Sequence, residues 1–503
     1  MASGLEICLG ASGDPSPGPS EHSQGSGSPD PLLESCIVIL ASMRAASPNI
    51  LRGIRVHRVL QDMPRKCAHH EPSALYGLSE VTPELDEFWS HSWKTGPVLK
   101  YLNVLFLNSG LPAFVLGTLC ALLAFALLLA GVIPVQGDTT VWCTASGILG
   151  YYLTLLLWRS RKLVFLDIAC IHQTDDTLKS MSLISVGAFL KNSKSLLILW
   201  DSTFVTRLWC MFEVAGFLHS KGHGKDLPLV ICPVFTGPVL VLAHLSLSAL
   251  LMLFLWLHSA RVLLLFPWGG LFICTMLFPS LMLVAYVVLA HCRSIDVMQI
   301  QVGDFTVEQS LSDCCSRDHV SVKGGPMACD RVILIRCIEA WFGSVDAFES
   351  LVRTEVLNML VHQLSYHVFT YWRIVQASCP VLWAVLDLMH MNYPDRIRGL
   401  VQLLCAAVSY CLLLLPSLAL ILIRLAYRMR RLGNSLGTRL LISVGLVASA
   451  SLMFGSFFVF DRQAAAVARY LFDGNDLPGY LAVLAITSAA TFALRRRTSS
   501  WLP

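Results

Sequence analysis

The chain is 503 residues long, with 55% hydrophobic and only 14% charged residues, a formal net charge of +4 and a mean hydropathy of +0.63. Soluble globular proteins carry roughly 25% charged residues, so a fully wetted surface is excluded and a polytopic membrane protein, with the lipid bilayer as its partner, is indicated. The positive charge is too small, and too little interleaved with aromatics, for nucleic-acid binding.

The N-terminus, MASGLEICLG, lacks the basic start and long apolar core of a signal peptide, and the Met-Gly of a myristoylation site. Residues 1–35 read as a disordered tail, because the Gly-, Ser- and Pro-rich stretch 11–31 has too little apolar surface to offset its ordering entropy. Residues 36–84 carry no clear fold signal. Residues 85–110 precede a first hydrophobic hairpin at 111–158, made of spans from Leu111 to about Val135 and from Val141 to Trp158 around the polar loop Gln136, Gly137, Asp138. A soluble block follows at 159–236. A second hairpin at 237–292 holds spans Pro238 to His258 and Val262 to His291, parted by Ser259, Ala260 and Arg261. Next come a soluble helical region at 293–365 and a bundle at 366–494, with spans near 366–390, 399–427, 437–460 and 477–494, then a tail at 495–503. That makes about eight spans, each close to the ~20 apolar residues a bilayer requires. The 366–390 stretch holds Arg373 and Asp387, so it reads either as a span or as an interfacial or core helix.

Loop charges set the topology. Arg159, Arg161, Lys162, Arg293, the cluster Arg424, Arg428, Arg430, Arg431, Arg439 and the tail Arg495, Arg496, Arg497 fall on one side. Asp138, Arg261, the loop with Asp395, Arg396 and Arg398, and a loop from Asp461 to Asp476 fall on the other. This places both termini and both soluble regions in the cytosol. Of the 17 cysteines, Cys120, Cys143, Cys274, Cys405 and Cys411 lie in apolar spans and act as small hydrophobes; the rest lack secreted-domain spacing, as expected of reduced, cytosol-facing segments.

Within the soluble block, Leu163 to Asp167 reads as a buried parallel strand ending on a polar residue. Asp175 and Asp176 suit a helix cap, and Leu183, Val186, Gly187 and Leu190 repeat at helical spacing. Ser195 to Trp200 is a second strand. A helix from about Thr206 runs through RLWCMFEVAGFLHS to Lys221-Gly222, and Leu229 to Phe235 is a further strand. Alternating strands and helices of this length imply a parallel, helix-covered sheet.

The run FLDIACIHQTDD followed by TRLWCMFEV resembles a TIR-type domain, and FLDIACIHQ is also similar to heterokaryon-incompatibility domains. Upstream, Asp86 to Trp93 (DEFWSHSW) is similar to the opening strand of such a fold, with KYLNVLFL as its first helix. The resemblance covers about a fifth of the chain. It implies a flavodoxin-like module, 85–110 plus 159–236, split by the first transmembrane hairpin in an otherwise α-helical membrane protein. It further implies signalling or assembly at the membrane, through self-association or other TIR-like modules. In enzymatic TIR domains a glutamate at this helix position supports cleavage of the nicotinamide–ribose bond of NAD. By that resemblance Glu213 is the catalytic candidate, with Trp209, Ser90 and Asp167 as pocket candidates; NAD is implied as substrate and no resident cofactor is named. A carboxylate there can stabilise the oxocarbenium-like ribose left when nicotinamide departs.

The plainer readings are a structural helix for Glu213, flanked by Trp209, Phe212 and Val214, and a strand-end cap for Asp167. Cys314, Cys315, His319 and Cys329 offer four soft ligands, but adjacent cysteines rarely share one tetrahedral ion and C-x-x-C spacing is absent, so no metal is assigned. Cys67 with His69 and His70 is a weaker set still. The helices Asp330 to Phe342 and Asp346 to Leu364 alternate apolar and charged residues, as docking helices do. The spans show no acid ladder, arginine series or carbonyl filter. A transporter or channel with a regulatory cytosolic domain is the alternative class.

Overall fold

Six short strands build one sheet from distant parts of the chain: β1 (Arg52–Arg55), β2 (Glu80–Val81), β3 (Leu85–His91), β4 (Leu163–Phe165), β5 (Ser193–Trp200) and β6 (Leu229–Pro233). The computed structural model describes residues 31–68, 72–133, 140–222, 227–259, 268–312, 314–315, 319, 329–389, 396–433 and 435–498. Residues 1–30 of the tail expected to be disordered, His69 and His70, the loop 136–138, residues 260–261, Asp395 and residues 499–503 lie outside them, whereas residues 31–35 of that tail are helical, as the start of Pro31–Ala41. The chain divides into two units. The first takes Met1–Gly96, Arg159–Pro233 and Met298–Gln363; the second takes Pro97–Trp158, Val234–Val297 and Leu364–Pro503.

In the first unit the strand order is β2-β1-β4-β3-β5-β6. The four expected strands, β4 to β6 from their apolar runs and β3 from the resemblance, are parallel; β1 lies antiparallel to β4, and β2 antiparallel to β1. The pair β1 and β2 comes from the region without a clear fold signal. At β1, Leu85 packs directly over the bare backbone of Gly53, where a Cβ would sit 2.6 Å from Leu85 Cδ2. On one edge of β3, Glu87 lies opposite Val164 and Phe88 opposite Phe165; on the other, Glu87 lies opposite Ser195 and His91 opposite Leu199. Phe88 and Phe165 stack at 4.4 Å and Phe165 meets Phe189 at 4.5 Å, all fully buried. Burying such side chains contributes about 1.5–3 kcal/mol each, which outweighs the exposed ion pairs Asp86–Lys194 and Glu87–Lys162 at the foot of β3.

Helices cover this sheet. Asp175 caps Asp176–Ile184 by accepting from Leu178 N at 2.9 Å, as expected. Helix Leu208–Lys221 ends at Gly222, whose φ of +81° is the conformation that favours glycine. The helix Pro31–Ala41 packs against Asp330–Phe342, with Trp341 Nε1 donating to Ala41 O at 2.8 Å. Gly187 lets the first of these approach closely, since a Cβ would stand 2.7 Å from Leu40 O. On the free edge of β6, the side chain of Gln363 donates to Leu229 O and accepts from Ile231 N, replacing a seventh strand.

Six helices among the described residues are long and apolar enough to cross a bilayer: Pro97–Leu129, Thr236–Leu257, Phe278–Gly303, Ile397–Met429, Leu436–Leu471 and Leu477–Leu494. This is the architecture of a multi-pass membrane protein, and it differs from the expected eight spans in three places. The segment KYLNVLFL is not a separate helix of the soluble module: one helix runs from Pro97 to Leu129 and carries Gly110 and Pro112 in its interior. Helix Trp142–Leu157 has 16 residues, about 24 Å at ~1.5 Å per residue against a ~30 Å bilayer core. The 366–390 stretch breaks into Tyr371–Ser378 and Pro380–Met389, because Pro380 has no N–H with which to continue the first helix. The last acidic loop also shrinks, since Leu436–Leu471 continues well past Asp461.

Asp387, read as a charge in a doubtful span, is a buried cap. Its carboxylate accepts from Thr140 Oγ1 at 2.5 Å, Cys143 N at 3.0 Å and Thr144 N at 2.7 Å, at the start of Trp142–Leu157. Helix starts carry unpaired N–H groups and partial positive charge, which a carboxylate satisfies. The same unit uses Asn103 to accept from Gly237 N at 2.8 Å. Gly150 lets the hairpin close, since a Cβ would meet Cys120 Sγ at 2.7 Å, and Gly147 admits Trp383 of Pro380–Met389, whose ring a Cβ would meet at 2.5 Å. Replacing Asp387 by Ala strands two buried amides and is expected to cost about 2–4 kcal/mol. The detergent-solubilised Asp387→Ala protein should melt several degrees below wild type and Asp387→Asn, which keeps one acceptor, in between; equal melting of all three would refute the cap.

Candidate functional site

In the parallel part of the sheet, whose spatial order is β4-β3-β5-β6, the chain visits second, first, third and fourth positions, so its direction of winding reverses between β3 and β5. Ligand crevices in doubly wound sheets open at the carboxyl ends of the strands at such a reversal. The residues gathered there are Ser90 to Thr95 after β3, Asp167 after β4, and Asp201 and Thr203 after β5.

The segment DEFWSHSW supplies both the floor and the rim. Asp86 accepts from Leu163 N at 2.9 Å and Glu87 from Trp89 Nε1 at 2.9 Å, fixing the lower end of the strand. Further along, Ser90 Oγ donates to Glu213 Oε2 at 2.5 Å. Ser92 Oγ lies 2.7 Å from Thr203 Oγ1, whose own backbone N–H donates to Asp201 Oδ1 at 2.7 Å; Thr95 Oγ1 donates to Asp201 Oδ2. Trp93 Nε1 donates to Asp167 Oδ2 at 3.1 Å, and His91 Nε2 stands 4.0 Å from Asp167 Oδ1. Trp93 is 49% exposed, whereas Ser90, Ser92, Asp167 and Glu213 are buried. A half-exposed indole thus stands at the rim above a closed polar floor.

Glu213 is the acid that the helix Leu208–Lys221 turns toward β3, with Phe212 and Phe217 fully buried on the same helix. Burial pushes its carboxyl up to about 8; the Ser90 hydroxyl opposes the rise, the negative charge of Asp167 adds to it and Arg207 counters it. At neutral pH Glu213 is therefore mostly the neutral acid. Burial, followed by the nearby Glu213, also raises the Cys210 thiol well above its usual range.

Three of the four residues named from sequence, Ser90, Glu213 and Asp167, come together. Asp167 also acts as the strand-end residue, its Oδ1 accepting from Ile168 N at 2.7 Å. Trp209 does not offer a stacking face: it is 4% exposed, and its Nε1 donates to Asp330 Oδ2 at 2.7 Å. It lies one turn before Glu213 on the same face of the helix, and burial together with the bond to Asp330 is what withdraws its ring. His91, Trp93, Asp201 and Thr203 are rim residues that spacing alone did not single out; the clustering of polar and aromatic residues in SHSW was the available signal. No family model, curated protein or solved structure matches this chain.

The raised carboxyl makes stability depend on pH. The folded chain keeps a proton that the unfolded chain loses near 4.5, so stability falls as pH rises from there and levels off above about 8. The slope from this one group reaches at most ~1.4 kcal/mol per pH unit. Glu213→Gln cannot ionise, so the melting temperature of the variant should exceed that of wild type increasingly toward pH 8; parallel curves would rule out a buried neutral Glu213.

Proposed function

We propose that this chain is a multi-pass membrane protein whose first unit is a TIR-like signalling module, with a nucleotide crevice at the ends of β3 and β5 and NAD as the substrate. The observation that carries this reading is the Ser90–Glu213 hydrogen bond at the winding reversal, which ties the opening strand to the acid of the WCMFE motif. Trp93 supplies an exposed aromatic face for a base or nicotinamide ring, and Ser92, Thr95 and Thr203 supply hydroxyls for ribose recognition. Glu213, once ionised, would stabilise the positive charge that develops on ribose as the glycosidic bond breaks. Its neutral resting state keeps the site quiet until a ligand's own charge or a rise in pH removes the proton. Self-association, or pairing with other TIR-like modules, would bring such units together at the membrane.

A cytosolic placement of both soluble segments follows from the loop charges, and the packing of the second unit supports the two sets. Arg430 and Arg431 pair with Asp296, and Arg293 donates to Gly433 O, so three residues of the expected basic set lie together. Arg398 and Arg469 pair with Asp476 on the other side.

Purified full-length protein in nanodiscs, incubated with NAD, should release nicotinamide at a rate that climbs with pH through about 8. Glu213→Gln should lower that rate by about 10²-fold or more, and Trp93→Ala should raise KM for NAD. No nicotinamide release at any pH, or equal release by Glu213→Gln, would overturn the NAD assignment.

A further inference from the structure

Four side chains that sequence spacing left apart converge on one point in the first unit. Cys314 Sγ lies 3.7 Å from Cys315 Sγ and 4.0 Å from Cys329 Sγ; Cys315 Sγ lies 3.7 Å from both Cys329 Sγ and His319 Nε2. All four ligand atoms fall within 4.8 Å of one another. A tetrahedral zinc ion with Zn–S arms of about 2.3 Å has S–S edges of about 3.8 Å, so these separations are the edges of such a polyhedron. They are nearly twice a disulfide bond, which is about 2.05 Å.

The backbone is shaped for the same end. His319 adopts φ +59°, rare for a residue with a side chain, and its N–H donates to Cys314 O at 3.0 Å, closing a turn that brings the imidazole beside Cys315. Cys314 is buried, Cys315 and Cys329 are half-buried and His319 is exposed, so the cluster has one protein-covered side and one open to an arriving ion. Around it, Asp330 accepts from Cys314 Sγ and from Ser312 Oγ at 2.7 Å through Oδ1, and from Trp209 Nε1 through Oδ2.

We propose that Cys314, Cys315, His319 and Cys329 form a structural zinc site. Three sulfurs and one imidazole fill the four positions of the ion and leave none for substrate, the pattern of structural rather than catalytic zinc. Binding exchanges the thiol protons, including the one Cys314 shares with Asp330, for the metal. The ion then holds Cys314, Cys315 and His319 against Cys329 at the head of helix Asp330–Phe342. Through Asp330 and Trp209 it braces the start of the helix that carries Glu213. Leu311 reinforces that brace by accepting from Leu208 N at 3.1 Å and donating to Thr206 O at 2.6 Å. Adjacent cysteines can serve one ion here because their sulfurs turn to the same side of the backbone at a tetrahedral edge.

The full chain, purified with reductant and dialysed against zinc salt, should contain one zinc per molecule by elemental analysis. Cys315→Ser/Cys329→Ser should lose it, whereas Cys120→Ser should keep it. Because the double variant could fail to fold, wild-type protein loaded with cobalt(II) supplies a second readout, with thiolate charge-transfer bands and the intense visible absorption of a tetrahedral site. Absence of zinc together with absence of those bands would overturn the proposal. So would zinc retained by Cys315→Ser/Cys329→Ser, or a disulfide between Cys315 and Cys329 found in the reduced preparation.

Discussion

Strand β3 can exist only because both of its neighbours arrive from beyond the excursion Pro97–Trp158 into the second unit. Its N–H and C=O groups pair with β4 on one side and β5 on the other, and unpaired buried backbone is too costly to persist. Everything specific in the soluble unit depends on that pairing. It places Phe88 on Phe165, seats Asp86 under Leu163, and brings Ser90 within reach of an acid more than a hundred residues away. The pairings are long-range, so the closure entropy of a large loop must be overcome before any contact rewards it. The excursion itself is packed as a helical pair, Pro97–Leu129 against Trp142–Leu157, in close approach at Gly117 and Gly150.

Much of this was legible in the sequence, and the reasons are local. Strands β4, β5 and β6 are short apolar runs between polar punctuation, and Asp175 and Gly222 mark helix ends by side-chain and backbone chemistry alone. Glu213 stood out as a lone acid in an apolar helix. What stayed hidden depends on partners far away in sequence. β1 and β2 have four and two residues, too few for any period to show, and they gain stability only as an added antiparallel edge on β4. Asp387 looked like a defect in a span because hydropathy averaging registers a charge and not the helix start it caps. The same averaging passed over Pro380, which divides that span in two.

The WCMFE motif illustrates how one helix serves two neighbourhoods. Glu213 faces β3, while Trp209, one turn earlier, faces Asp330 and the cysteine cluster. Residues 163–221, where the resemblance is carried, therefore depend on residues between 302 and 363, where the alternating helices read as docking helices do pack on this module. Gln363 closing the edge of β6, and the hydrogen-bonded exchange of Leu311 with Thr206 and Leu208, show the same dependence. Spacing rules for metal ligands look for loops closed by two or four residues, so the soft set at 314, 315, 319 and 329 is noticed in the sequence and set aside, and only the folded chain shows its four ligand atoms within 4.8 Å of one another.

The most direct measurement of this account is disulfide mapping of the β3–β5 register. Cysteines placed at Glu87 and Ser195, which lie opposite one another in the sheet, should link on mild oxidation of the membrane-embedded protein and appear as one cross-linked peptide by mass spectrometry. A control pair at Glu87 and Leu199, four residues out of register, should not. Equal linkage of both pairs, or none of the Glu87–Ser195 pair, would mean that the two halves of the soluble unit do not share a sheet.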